Sequence, residues 1–300
     1  MKRILIMGYN SVLGNGLEKY LNEYNAKIGE EIYRVDKLSQ RDEYWQSYQM
    51  SSYDVIFQAT GIAHADTGKL TEEQKQAYYS VNCDLAEETA RRAKEAGVKL
   101  FIYPSSAIVY GDSAPYKKEK MITESTPAQC AHAYGDSKIK AEEKLNALSD
   151  EHFKVAIMRL PMIYGKGCKG NYPLLAKMAG KSPIFPNVMN KRSMLYLENF
   201  CEFMRLLIEA EKGGLYFPQN EEYISTANMV KEIGKNHGKN IRLWGILNPF
   251  VSLACVMPGK IGAMANKAFG NLTYDKNLSN QDIQGYCLYS FEESIKRTES

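Results

Sequence analysis

The chain has 300 residues, with 38 Lys plus Arg against 35 Asp plus Glu and 44% hydrophobic residues. That is room for one large α/β domain or for two that share a core. No single-sign run exceeds a few residues, which argues against a nucleic-acid stripe or a polybasic membrane patch. Six cysteines and four histidines lie scattered without a C-x-x-C pair, so neither a metal site nor a disulfide framework is expected, and a reducing cytoplasm is the compartment that fits.

In chain order, "MKRILIMGYN" opens with a four-residue apolar run that stops at Gly8. This is too short for the core of a signal peptide and reads as a buried strand. A helix follows, with Leu13, Leu17, Tyr20 and Leu21 on one face, then the short strands "EIYRVD" and "DVIFQATG". "VNCDLAEETARRAKEAG" has helical periodicity and ends at Gly97, where a C-cap belongs. "KLFIYPSS" returns to strand composition, "AHAYGDSKIKAEEKL" to helix, and "FKVAIMRLPMIYG" to strand. Strand and helix in alternation predict a parallel sheet with helices on both faces, and continuous apolar runs such as "ILIM" and "VIF" agree, since parallel strands are buried on both sides.

After Gly165 the texture shifts to Gly, Lys, Asn and Pro, marking a second, smaller region. The helix "NFCEFMRLLIEAE" and the strand "GLYFPQ" are expected to return to the sheet. The expected division is therefore a dinucleotide-binding domain over 1–164, rejoined by 194–220, and a substrate-binding region over 165–193 and 221–300. "LWGILNPFVSLACVM" (243–257) is shorter than the roughly 20 residues of a membrane span and is broken by Asn248 and Pro249. No integral membrane segment is expected, and this stretch reads as core or cap, with peripheral membrane contact as the lesser alternative.

Three groups of residues carry chemistry. Gly8 follows a strand and Gly14 opens a helix, the arrangement that lets a backbone approach a pyrophosphate held at a helix N-terminus. Ser11 takes the middle position of this G-x-x-G-x-x-G spacing. Asp36, 22 residues after Gly14, is spaced like the acid that binds a ribose 2′-hydroxyl, which favours NAD over NADP, although Arg34 and Lys37 flank it. Asp42 is a second candidate for the adenine end, or the N-cap of the next helix. Ser105 and Ser106 end a strand and should face the same crevice. Tyr134 and Lys138, four residues apart, share one helix face, so a phenol and an ammonium can enter one pocket.

This constellation resembles the short-chain dehydrogenase/reductase superfamily. "SSAIVYG", "YGDSK", "RLPMIYG" and "RSMLYLENF" look like its extended branch, the nucleotide-sugar epimerases, dehydratases and reductases. The resemblance implies a Rossmann-type doubly wound fold and an NAD cofactor, with NADP as the alternative. The cofactor would be held by Gly8, Asn10, Ser11, Gly14, Asp36, Asp42, Ala59 and Gly61, with Tyr134 and Lys138 at the nicotinamide end. It implies that Ser106, rather than its neighbour Ser105, hydrogen-bonds the reacting oxygen while Ser105 contacts the substrate, that Tyr134 exchanges the proton, and that Lys138 favours the phenolate and holds the nicotinamide ribose. Arg192 would clamp the substrate diphosphate. Asn171 would lie near it or cap a helix, and Asn82 would lie near the serine or likewise serve as a cap. A homodimer through the "DLAEETARRAKEA" and "SKIKAEEKL" helices is implied as well.

Ala107 and Ile108 stand where the 4,6-dehydratases carry an Asp-Glu pair, which argues against water elimination. Cys130 and His132 have no family counterpart and read as incidental. Over nearly its full length the chain is similar to reductases of capsule and O-antigen synthesis that act on the 4-keto group of a UDP-linked 2-acetamido-2,6-dideoxyhexose. The alternative is a UDP-hexose 4-epimerase with tightly held NAD. A non-catalytic dinucleotide sensor is disfavoured because both Tyr134 and Lys138 are present.

Overall fold

The computed structural model describes residues 1–63, 70–279 and 283–300. Its centre is a six-stranded sheet: β1 (Lys2–Met7), β2 (Tyr33–Leu38), β3 (Val55–Gln58), β4 (Leu100–Ser106), β5 (Lys154–Leu160) and β6 (Gly214–Tyr216). All pairings are parallel, in the order β2-β1-β3-β4-β5-β6. The chain leaves β1 for β2 on one side and then crosses to β3 on the other. This reversal opens a crevice beyond the carboxyl ends of β1 and β3, the place where doubly wound sheets bind ligands.

Successive strand residues point to opposite faces, and the apolar runs fill both. Ile4, Ile6 and Phe57 pack with Leu17 and Leu21 of α1 (Val12–Ile28) and with Phe200 and Met204 of a returning helix at Leu197–Ala210. Leu5, Ile56 and Phe101 face Ala86, Ala90 and Ala93 of α2 (Leu85–Glu95) and Ala141 and Leu145 of α3 (Ala133–Asn146). The alanines let these helices lie close to the sheet. α2 ends where its glycine predicts, with Gly97 at φ 81°. Its beginning differs from the expectation: the residues Ser80–Asp84 form a π-turn. Widened turns of this kind are common beside functional sites, and here Asn82 is the residue drawn out of line.

The second region has its own core, in which Tyr164, Tyr172, Met194, Tyr196, Val230 and Ile233 pack together. It contains α4 (Tyr172–Lys181), α5 (Leu197–Ala210, shared with the sheet), α6 (Thr226–Asn236), α7 (Asn248–Val256) and α8 (Lys260–Phe269). Of the two readings of 243–257, core or cap, core does not hold. Val251 is the only buried residue of α7, and Ile246, Phe250, Leu253 and Val256 lie open to solvent. No described helix is long and apolar enough to cross a membrane.

Candidate active site

The turn after β1 is shaped by contact. Gly8 has φ +120°, and a Cβ there would lie 2.9 Å from the Thr60 amide nitrogen. A Cβ on Gly14 would lie 2.7 Å from Ile6 Cγ2. Ser11 caps α1, its Oγ accepting the Gly14 N–H at 3.3 Å. No acidic side chain occupies the first turn of α1, so its positive end faces the crevice uncompensated, with Asn10 exposed beside it. Ala59 and Gly61 follow β3 on the other wall, where the Thr60 hydroxyl is buried without a hydrogen-bond partner among the described residues. A tight turn, an open helix end and an unpartnered buried hydroxyl fit a dinucleotide diphosphate.

Asp36 lies two residues inside β2, because the strand continues to Leu38. Its Oδ2 accepts the Tyr53 hydroxyl at 2.9 Å and Arg3 Nη2 at 3.5 Å. Asp42 is exposed and accepts the Tyr44 N–H at 3.1 Å in a local turn; the N-cap of the helix Tyr44–Ser47 is Glu43, so Asp42 is not that cap.

β4 ends at Ser106, and α3 begins opposite it. The Ser106 Oγ accepts the Ile108 N–H at 3.3 Å and hydrogen-bonds the Tyr134 phenol. Burial holds that phenol above the usual tyrosine range, and the Ser106 bond draws it partly back. Lys138 is buried one turn further along, directing Nζ to the Pro104 carbonyl at 2.9 Å and lying 4.4 Å from the Tyr103 ring centroid. Burial lowers its pKa to about 7, against an opposing pull from Glu142. The expected easing of Tyr134 ionisation by Lys138 together with a bound nicotinamide concerns the cofactor complex; in the chain alone the Ser106 bond lowers the phenol's pKa. Lys138 is a poorly solvated cation close to the Gly61 backbone, where a Cβ would sit 3.7 Å from its Nζ and 3.2 Å from Asn82 Oδ1.

Two expected substrate contacts lie beneath the site instead. Ser105 is buried, with its hydroxyl bonded to Glu142. Asn82 is fully buried; its Oδ1 accepts the Ile62 N–H at 2.8 Å and its Nδ2 donates to the Ile62 carbonyl at 3.1 Å and to Ser137 at 3.2 Å. Both position the walls and neither reaches the crevice. Sequence reasoning also missed the pair under Ser105, where Arg159 Nη2 meets Glu142 Oε2 at 2.5 Å and Nη1 meets the Tyr110 hydroxyl at 2.5 Å. Glu142 alone carried a signal, since it continues Tyr134 and Lys138 as one i, i+4, i+8 stripe on α3; its partner Arg159 carried none.

On the substrate side, Arg192 donates from Nη1 to the Lys267 carbonyl at 2.5 Å. Burial pulls it below the usual arginine range, and among the described residues no carboxylate offsets that. A cation so placed suits an incoming phosphate. Asn171 sits at the start of α4 without making a cap bond. His132 is exposed and faces Asp112 at 2.9 Å, while Cys130 packs against Gly135.

Comparison with known proteins agrees with this geometry. The family model described as NAD dependent epimerase/dehydratase family matches residues 4–217. The chain is 27% identical over 258 residues to UDP-glucose 4-epimerase of Vibrio cholerae, covering 77% of this chain and 75% of that protein. It is 26% identical over 255 residues to N-acetyl-alpha-D-glucosaminyl-diphospho-ditrans,octacis-undecaprenol 4-epimerase of Escherichia coli O157:H7, covering 79% and 73%. The fold superposes on dTDP-4-dehydrorhamnose reductase of Bacillus anthracis in complex with NADP with a TM-score of 0.71 at 18% identity, over 99% and 98% of the two chains. The chain belongs to the NAD dependent epimerase/dehydratase family and is an NAD(P)-dependent nucleotide-sugar enzyme of the epimerase/reductase type.

Proposed function

We propose that the protein reduces the 4-keto group of a UDP-linked 2-acetamido-2,6-dideoxyhexose during assembly of a polysaccharide precursor. The observation that carries this reading is the phenol of Tyr134, held protonated by burial while hydrogen-bonded to Ser106. A protonated phenol is an acid ready for use, and reduction of a ketone consumes a proton at oxygen. When bound, the reduced dinucleotide supplies the hydride that C4 accepts. Ser106 and Tyr134 orient the carbonyl oxygen between them, and Tyr134 delivers its proton to that oxygen as the C–O double bond becomes single. Lys138, one turn further along the helix, stabilises the phenolate left behind until solvent reprotonates it.

Gly8, Asn10, Ser11, Gly14, Ala59 and Gly61 line the dinucleotide crevice, with Asp36 behind its adenosine end. Arg192 and Asn171 meet the UDP diphosphate from the region 165–193, which together with 221–300 holds the sugar. The same reading includes a homodimer through α2 and α3.

A second reading, UDP-hexose 4-epimerase with tightly held NAD, draws support from the names of the two curated relatives above, both 4-epimerases. Incubation with NADH or NADPH and UDP-sugars with and without a 4-keto group separates the two. Stoichiometric consumption of reduced cofactor by the 4-keto sugar supports the reductase. Interconversion of UDP-hexoses with no net cofactor consumption, and NAD carried through purification, supports the epimerase and overturns the reductase.

A further inference from the structure

Residues 244–264 form a surface for which hydride transfer to a sugar has no use. α7 carries no charged residue, and α8 returns beside it after a three-residue turn. The two are tied together by Asn266, whose Nδ2 donates to the Cys255 carbonyl at 2.8 Å and to the Gly262 carbonyl at 3.0 Å. Gly262 is required at the crossing, since a Cβ there would drive into the Met257 carbonyl. The hairpin is therefore a built element, yet it turns its apolar side outward. Ile246, Phe250, Leu253, Val256, Ile261 and Met264 are between 54% and 77% exposed. Phe250 and Leu253 lie one turn apart on α7, and Ile246 precedes them in the turn Gly245–Leu247. A monomer rarely leaves so dense an apolar patch open to water without a use for it.

The sequence that builds this patch carries charge of one sign. From residue 233 to 274 the chain contains no Asp or Glu, and from 152 to 197 it again contains none, although the whole chain is nearly balanced at 38 basic to 35 acidic residues. Lys177 and Lys181 of α4 line a groove with Leu174, Met178, Val251 and Phe269 where α4 meets the hairpin, and Leu174 and Met178 beside them are themselves exposed. Lys260 and Lys267 of α8 are exposed on the hairpin itself. The lysines lie dispersed through apolar sequence, which is why no basic run is visible in the primary structure.

Helices of nine and ten residues are about 14 and 15 Å long, half the roughly 30 Å of a hydrocarbon core. They can lie in a membrane interface but cannot cross it. An apolar edge bordered by lysines and free of carboxylates is complementary to an anionic lipid surface. We propose that the α7–α8 hairpin docks the protein on an anionic bilayer, with Phe250 and Leu253 in the headgroup and acyl boundary and Lys177, Lys181, Lys260 and Lys267 against lipid phosphates. Because Arg192 bonds the Lys267 carbonyl, docking would put the phosphate-binding side of the site next to the membrane face. The proposal holds whichever sugar is reduced.

The test uses the full chain and vesicles of phosphatidylcholine with or without phosphatidylglycerol, in a flotation assay at low and high salt. The expected result is binding to the phosphatidylglycerol vesicles that weakens with salt, falls at least about tenfold in a Phe250→Ser/Leu253→Ser variant, and falls also in Lys177→Gln/Lys181→Gln. NADPH binding measured by fluorescence should be unchanged in both variants, which separates this proposal from the enzymatic one. No flotation of the wild type, or equal flotation of wild type and the Phe250→Ser/Leu253→Ser variant, overturns it. So does a light-scattering result in which the hairpin variants dissociate a wild-type dimer that does not bind vesicles, since a second copy of the chain would then cover the face.

Discussion

Replacing Lys138 with Met tests how the site holds a buried cation. The ammonium is 4% exposed, donates to one carbonyl, and has its pKa lowered from 10.5 to about 7 by burial. A base whose folded pKa is depressed costs the folded state its full desolvation penalty below that pKa, where both states are protonated. The cost disappears as pH rises toward the unfolded value. The interval of about 3.5 pH units corresponds to about 5 kcal/mol. Methionine fills the same space without charge but leaves the Pro104 carbonyl without its donor, a loss of about 1–3 kcal/mol. The variant should therefore be more stable than wild type by a few kcal/mol near about pH 6, and no more stable, or slightly less, near about pH 10. Urea unfolding of cofactor-free protein at a series of pH values measures this. A stability difference that stays flat across the range would refute the claim that Lys138 is held against its own charge.

Three further outcomes follow from the same geometry. Ser106→Ala removes the bond that eases Tyr134 ionisation, so kcat should fall roughly 100-fold and any limb of the pH–rate profile set by that phenol should move to higher pH; an unmoved limb would assign the limb to another group. Glu142→Gln strands the buried Arg159 guanidinium and should cost about 3–5 kcal/mol in unfolding experiments. A cost below about 1 kcal/mol would mean that water already screens the pair. Gly8→Ala forces a Cβ onto the Thr60 amide at φ +120°, and NADH titrated by fluorescence should bind at least about tenfold more weakly; undiminished affinity would remove the turn from the cofactor site.

The sheet and the convergence of Ser106, Tyr134 and Lys138 were legible because their signals are local and periodic. Apolar runs ending at Gly8 and Ser106 mark strand tips, and the Tyr134–Lys138 spacing marks a helix face. What escaped were features settled only by packing. Ser105 and Asn82 have the composition of site residues, and burial alone redirects them, since each finds an internal partner before it can reach the crevice. The Glu142–Arg159 pair joins a helix to a strand 17 residues further on, and nothing in either segment names the other. The apolar stretch at 243–257 reads as core by composition, yet short helices crossing at Gly262 leave it on the outside. Hydrophobicity indicates that a surface is destined for cover without indicating whether the protein itself provides it.

The account depends on the Tyr134 phenol as the proton donor, and Tyr134→Phe tests it most directly. Stopped-flow oxidation of NADPH with a 4-keto UDP-sugar should slow by at least about 100-fold in this variant, while affinities for NADPH and UDP stay within about twofold of wild type. Turnover at the wild-type rate with a phenyl ring in that position would contradict it.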